Sequence, residues 1–320
     1  MISALSRKFL LYLAHNEAMR QVITAYGMAP QSGFARRFIA GETLEEALQV
    51  VLGLNRGGFL VTLDALGENV TREVEARQAA ERYLSVLDKI HQTQANSNIS
   101  LKLTQLGLDI GWELCEEQLR ALLEKARVYD NFVRIDMESS AYTQRTLDMY
   151  RAFREKGYTN VGVVIQAYLY RSEKDVKDLI AFKARVRLCK GAYSEPKTVA
   201  FQSKREVDQN YLRLMKWLLE EGNYPAIATH DEAILQAARE FTKAKGIPST
   251  KFEFQMLYGV RRDLQERLVR EGYNLRIYVP FGKEWYPYFM RRLAERPANV
   301  QFLLKNIARE FLPAPSKGRA

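Results

Sequence analysis

The residues best equipped for chemistry stand in Arg185-Val-Arg-Leu-Cys-Lys-Gly-Ala-Tyr-Ser-Glu-Pro196, a short strand pattern that stops at a glycine turn among basic side chains. Strand side chains alternate between faces, so Val186 and Leu188 would pack outward on helices while Arg187 and Cys189 point the other way. A guanidinium buried without a partner is costly, so Arg187 demands an anion or an acceptor opposite it inside the sheet. Lys190-Gly191-Ala192 then offers backbone N–H groups and a positive charge where the strand stops. Taken alone, the stretch fits a structural Arg–carboxylate pair before an ordinary turn as well as it fits an anion-binding corner.

A second basic group lies near the other end of the chain. Tyr288 and the adjacent pair Arg291-Arg292 are one helical turn apart. Two guanidiniums that converge on one point suit a small carboxylate, because each can donate paired hydrogen bonds to its oxygens. Metal chemistry fits poorly. The three histidines, His15, His91 and His230, have no H-x-x-x-H or H-E-x-x-H spacing. There is no G-x-S-x-G, and neither Cys115 nor Cys189 has a histidine neighbour, so nucleophilic catalysis has no obvious agent. A pocket of arginine, lysine, glutamine and threonine therefore points to an organic cofactor for the difficult step.

Composition sets the limits around these groups. The 48 basic and 38 acidic residues give a net charge of +10, spread along the chain, which suits anionic cofactors, substrates or membrane surfaces. No RNP, zinc-finger or helix-turn-helix signature accompanies that charge, so nucleic acid is not an expected partner. Two isolated cysteines fit a reducing cytoplasm. No apolar run approaches the roughly 18 residues of a membrane span.

The elements that must position the chemistry alternate. Residues 1–56 read as a helical arm, with a break from Gly27 to Gly33, a second helix from Glu42 to Leu54, and a turn at Asn55-Arg56-Gly57-Gly58. β-rich runs then recur at Phe59–Asp64, Ile99–Thr104, Phe132–Met137, Val161–Gln166, Arg185–Cys189, Ala226–His230, Phe252–Leu257 and Arg276–Pro280. Helical stripes separate them, such as Val207, Tyr211, Leu214, Met215 and Leu218. Gly157, Gly222, Gly246 and Gly272 sit where left-handed helix ends are expected, and Ser172-x-x-Asp175 reads as a helix N-cap. Eight strands alternating with helices predict a (β/α)8 barrel over 57–312, followed by a flexible tail at 313–320. A doubly wound sheet is the runner-up, but no G-x-G-x-x-G or P-loop is present. In a barrel the chemistry gathers at the C-terminal mouth. The strand ends offer Asp64, Lys102, Asp136, Gln166, Arg187 with Lys190, Thr229-His230, Gln255 and Tyr278, and the last helix would lean over them.

These motifs together resemble the proline dehydrogenase family. The resemblance runs through Asp64-Ala-Leu-Gly-Glu68, Ser100-Leu-Lys-Leu103, Arg134-Ile-Asp-Met137, Arg187-Leu-Cys-Lys-Gly-Ala-Tyr193, Ala228-Thr-His230, Tyr278-Val-Pro280 and Tyr288-x-x-Arg-Arg292. It implies a distorted (β/α)8 barrel that binds FAD and oxidises L-proline to Δ1-pyrroline-5-carboxylate, with hydride passing from proline C5 to flavin N5. By motif, Arg187 would stand at the flavin N5 edge as a catalytic residue together with Asp136. Met137, Gln166, Lys190, Gly191, Ala192, Tyr193, Thr229 and His230 would hold the cofactor. Lys102, Tyr278, Tyr288, Arg291 and Arg292 would bind proline, and Glu68 would pair with Arg291 as a gate. Asp231 follows His230 where the family more often has Asn, which adds negative charge near the expected phosphates.

The resemblance also implies a single-function form whose product passes to a separate pyrroline-5-carboxylate dehydrogenase. Its electrons would go to a membrane quinone, so a cytoplasmic protein docked peripherally at the inner face of the membrane is expected. Two rivals remain at this stage. One is another barrel enzyme acting on a small carboxylate, with Lys102 or Lys190 as a Schiff base. The other is a basic scaffold without catalysis.

Overall fold

Eight strands close in sequence order into one parallel barrel: Leu60–Ala65 (β1), Ser97–Leu101 (β2), Val133–Ile135 (β3), Val161–Gln166 (β4), Arg185–Cys189 (β5), Ala226–Ala228 (β6), Glu253–Leu257 (β7) and Leu275–Phe281 (β8). This computed structural model describes Met28, residues 34–67 and residues 70–295, with side chains to residue 292. Closure is made by β8 against β1, in register from Leu60 opposite Arg276 to Ala65 opposite Phe281. Helices follow the strands: Glu73–Thr93 (α2), Trp112–Val128 (α3), Ser140–Glu155 (α4), Ser172–Ala181 (α5), Lys204–Glu221 (α6), Glu232–Ala244 (α7), Arg262–Arg270 (α8) and Trp285–Glu295 (α9), with Leu44–Arg56 (α1) preceding the barrel. The predicted alternation is therefore observed, with strand ends differing by up to three residues.

The two faces of the strands have opposite chemistry. Val61, Leu63, Ile99, Val133, Val186 and Leu188 are buried in the core that also contains the apolar stripes of the helices. The other face carries Thr62, Asp64, Ser100, Arg134, Asp136 and Arg187, also buried. Hydrogen bonds between strands that are not neighbours, such as Tyr278 of β8 to Asp136 beyond β3, cross the lumen and fix this face as the interior. A barrel lumen lined with polar groups must satisfy them internally. Near the strand starts Arg276 Nε donates to both Glu253 oxygens at 2.9 and 3.1 Å, and Gln255 Nε2 donates to Glu253 Oε1 at 2.6 Å.

Helix α1 begins at a capping box, with Thr43 Oγ1 accepting from the Glu46 N–H at 3.3 Å and the Glu46 carboxylate accepting from Thr43 N–H. Its buried Ala47, Leu48 and Val51 belong to the same core as the barrel. Helix α9 packs its Trp285, Tyr288 and Phe289 on Phe34, Phe38 and Ile39, together with Leu66 just past the end of β1. That contact holds the last helix at the C-terminal mouth, as expected. Among the described residues no helix is long and apolar enough to cross a membrane.

Two local expectations are corrected. Helix α5 starts at Ser172 rather than being capped by it. Ser172 Oγ donates to Leu169 O at 2.6 Å and receives Asn210 Nδ2 at 3.1 Å, while Asp175 accepts from Arg171 Nε at 2.7 Å, so both side chains serve the packing of α5 on α6 and the preceding turn. Gly157, Gly246 and Gly272 have positive φ, but Gly222 has φ −77° because the chain leaves α6 in an extended conformation.

Candidate active site

Asp136 is the hub of the mouth. It follows β3, its N–H donates to Leu101 O at 2.8 Å, and the residue is only 6% exposed. Oδ2 accepts from Tyr278 OH at 2.7 Å, and Oδ1 accepts from Arg187 Nη2 and Ser100 Oγ. The Arg187 guanidinium also lies over the Tyr278 ring, 5.2 Å from its centroid, a cation–π contact in a dry setting. Burial pushes the Asp136 carboxyl up, but Arg187, Lys102 and the Ser100 and Tyr278 donors outweigh it and hold it below the ordinary carboxylate range. For Arg187 burial works against the charge, and Asp136 more than restores it. The Tyr278 phenol is pushed well above its ordinary value by burial and by the nearby Asp136 and Asp64 carboxylates. At neutral pH the hub is thus a carboxylate, a guanidinium and a neutral phenol. The acceptor demanded by Arg187 is Asp136.

Lys102 and Asp64 form the adjoining pair, Nζ to Oδ2 at 3.8 Å, both buried. Tyr83 of α2 reaches in with its hydroxyl 3.3 Å from Asp64 Oδ1 and 3.2 Å from Gln105 Oε1. Gln105 Oε1 accepts from the Lys102 N–H at 3.1 Å and Gln105 Nε2 donates to Ala65 O at 2.8 Å, which ties the ends of β1 and β2 together.

The opposite rim is built from the ends of β4, β5 and β6. Gln166 is buried, and its Nε2 donates to Glu138 O at 2.8 Å. Met137, next after Asp136 in the chain, is buried. Lys190 donates to Asp208 at 2.5 Å and to Asp231 at 2.9 Å. Gly191 has φ +116°, and a Cβ there would collide with the Tyr168 ring, so only glycine lets the chain pass over that ring. Ala192 is exposed and Tyr193 half-buried. Glu195 accepts from the Ser140 N–H at 2.7 Å, pinning this loop to the start of α4. Thr229 Oγ1 accepts from Asp231 N–H at 3.1 Å, and His230 Nε2 accepts from Leu257 N–H at 2.9 Å. Cys189 is an inert thiol, pushed up to about 11 by burial despite the nearby Arg187.

On α9, Tyr288 is buried and the Arg292 guanidinium lies 5.0 Å from its ring centroid; Arg291 and Arg292 are half-buried. Glu68, the expected gate, lies outside the described residues, as do the start of the arm and the tail. Gln255, read as a mouth residue, lies lower in the barrel, where its amide serves Glu253. Sequence reading gave no role to Ser100, Tyr83, Gln105, Tyr168 or Asp208. Ser100 shares the face of Lys102 by period-two alternation and could have been found that way. The others stand on helices or turns whose reach into the mouth depends on packing.

The arrangement provides a guanidinium paired with a carboxylate in the lumen, a neutral phenol beside them, a lysine–aspartate pair and a rim of amide and ammonium donors. It contains no group of three metal-ligating side chains among the described residues. Such a site is chemically suited to an anionic ligand and to steadying charge.

Comparison with known proteins identifies the family. The family model described as proline dehydrogenase matches residues 47–305. Proline dehydrogenase 1 of Bacillus subtilis is 45% identical over 304 residues, covering 95% of this chain and 99% of that protein. Proline dehydrogenase of Deinococcus radiodurans is 39% identical over 96% of this chain and 99% of its own length. The bifunctional protein PutA of Escherichia coli is 31% identical over 87% of this chain, which spans only 24% of it. Among solved structures, proline utilization A from Bdellovibrio bacteriovorus, inactivated by N-propargylglycine, aligns with a TM-score of 0.76 at 25% identity, over 98% of this chain and 42% of that one. A polar-lumened barrel, a charged hub at its mouth and these matches lead to one conclusion: the chain belongs to the proline dehydrogenase family, oxidoreductases that act on proline.

Proposed function

We propose that this chain oxidises L-proline to Δ1-pyrroline-5-carboxylate with FAD at the barrel mouth and passes the electrons to a quinone. The family implies a flavin, and the donor set at the mouth suits one. Its cations and amides suit a polyanionic, hydrogen-bonding ligand, and the Gly191 turn brings backbone close to the Tyr168 ring. FAD, when bound, supplies the acceptor for the hydride that leaves proline C5.

The protein's part is binding and positioning. Arg187 presents a permanent positive charge, held in place by Asp136 and by the Tyr278 face. Asp136 positions Arg187 and Tyr278 and, being held ionised, is not a proton donor at neutral pH. Met137, Gln166, Lys190, Gly191, Ala192, Tyr193, Thr229 and His230 would hold the cofactor. Arg291 and Arg292, with Lys102, grip the proline carboxylate while Tyr278 and Tyr288 flank its ring.

The observation that carries this reading is the Asp136–Arg187–Tyr278 hub, three strands meeting at one buried point in the lumen. Anaerobic titration of the purified protein with L-proline tests it: a yellow preparation bleached stoichiometrically supports the reading. Trapping of substrate on lysine by borohydride would instead support a Schiff-base lyase. That rival needs an amine clear of counter-charges, whereas Lys102 and Lys190 both sit on carboxylates. The net charge of +10 supports peripheral docking on an anionic membrane, where a quinone is available. Flotation with anionic vesicles tests that step, and absence of binding removes it.

A further inference from the structure

The corner where a cofactor's phosphates would arrive is already charge-paired from within. Lys190, just past β5, donates to Asp208 of α6 and to Asp231 before α7. Lys204 pairs with the same two carboxylates, reaching Asp231 at 3.4 Å. Two ammonium groups and two carboxylates leave the corner neutral. All but Lys204 are sheltered, with side-chain exposures of 28% for Lys190, 22% for Asp208 and 26% for Asp231. Burial pushes the Asp231 carboxyl up, but Lys190 and Lys204 outweigh it, so it stays ionised at neutral pH. Asp231 also caps α7, with Oδ1 accepting from Ala233 N–H at 3.2 Å. The helix end that would draw a phosphate through its free N–H groups and dipole therefore carries an anion of its own.

We infer that Asp231 and Asp208 compete with the cofactor's phosphates for Lys190 and thereby set the affinity of this protein for a diphosphate-bearing cofactor. The inference rests on the flavin reading proposed above. A diphosphate that reaches this corner meets two fixed carboxylates, and Lys190 has only three N–H donors to divide among all the acceptors. Removing one carboxylate charge leaves the corner net positive and frees a donor. Asn ranks with Asp as an N-cap, so Asp231→Asn separates the charge from the capping role.

The test is equilibrium titration of the deflavinated full chain with FAD, followed by flavin fluorescence, and with ADP as a probe that carries the diphosphate without the ring. Asp231→Asn and Asp208→Asn should each tighten FAD and ADP by about tenfold, the scale of one like-charge contact at a part-buried site. Lys190→Met should weaken both ligands. FAD binding that is unchanged or weaker in both Asn variants overturns the inference while leaving the flavin reading intact. So does tightening in the Asn variants with no loss in Lys190→Met, since Lys190 would then not be the contested group. Failure of wild type and every variant to bind FAD would instead overturn the flavin reading itself, and this inference with it.

Discussion

The phenol of Tyr278 donates to the carboxylate of Asp136 at 2.7 Å across 142 positions of sequence, so the eighth strand and the end of the third meet in the lumen. The same carboxylate receives Arg187 from the fifth strand. Replacing Tyr278 by Phe removes one charge-assisted hydrogen bond from this point while leaving the ring beneath Arg187. A loss of about 1.5–3 kcal/mol in unfolding free energy is expected, together with a higher KM for proline and unchanged flavin content. Denaturant unfolding, steady-state kinetics and the visible spectrum check the three parts separately.

Removing the carboxylate is more damaging, because it strands a guanidinium in the interior. Asp136→Ala should cost about 3–5 kcal/mol and reduce kcat by orders of magnitude. The double variant Asp136→Leu, Arg187→Met should regain much of the stability without any activity. A double variant as unstable as Asp136→Ala would show that the pair is not the source of the loss.

Arg291 and Arg292 lie on the last helix, away from the Asp136 hub in sequence, and Arg292 rests on the Tyr288 ring. Arg292→Met should raise the KM for proline by orders of magnitude, whereas Arg187→Met should slow the chemical step and alter the flavin's reduction potential. Both variants should retain flavin. If both simply lose it, the assignment of one arginine to the substrate and the other to the cofactor edge fails.

Gly191 makes a sharper prediction than any charged residue. With φ +116° and the Tyr168 ring where a Cβ would go, Gly191→Ala forces the loop off its path at a cost of about 1–3 kcal/mol. Flavin content should fall with it. Tyr168→Ala in the same chain should relieve the collision and recover part of the stability, as read by thermal unfolding.

Acid should unfold the protein by discharging the lumen. Burial favours protonation of Asp136 and of Glu253, but Arg187 for the first and Arg276 for the second outweigh it, so both carboxyls lie below their unfolded values. Their stabilisation is complete above those unfolded values, near 4, and is lost as pH falls through the depressed native ones. Melting temperature should be level near neutrality and drop steeply below about pH 4, and Asp136→Asn should make that drop shallower. Tyr278, raised by burial and by Asp136, should add no alkaline limb to the activity below about pH 10.

The eight-fold alternation, the polar strand ends and the arginine pair of the last helix were all legible in the chain, because strand and helix periodicity are local properties of sequence. So was the demand that Arg187 find an acceptor. Which acceptor answers it was decided by tertiary structure: Arg187 and Tyr278 both reach the Asp136 carboxylate, beside Ser100, only when the barrel closes and strands two and three apart face a common lumen. The pairing of Lys190 with Asp208 and Asp231, and the seating of Gly191 on Tyr168, likewise depend on where α6 and the rim loops pack. Periodicity states which side of a strand a residue occupies; how far across the barrel its neighbour stands is set by register, closure and helix packing, which no short stretch of sequence contains.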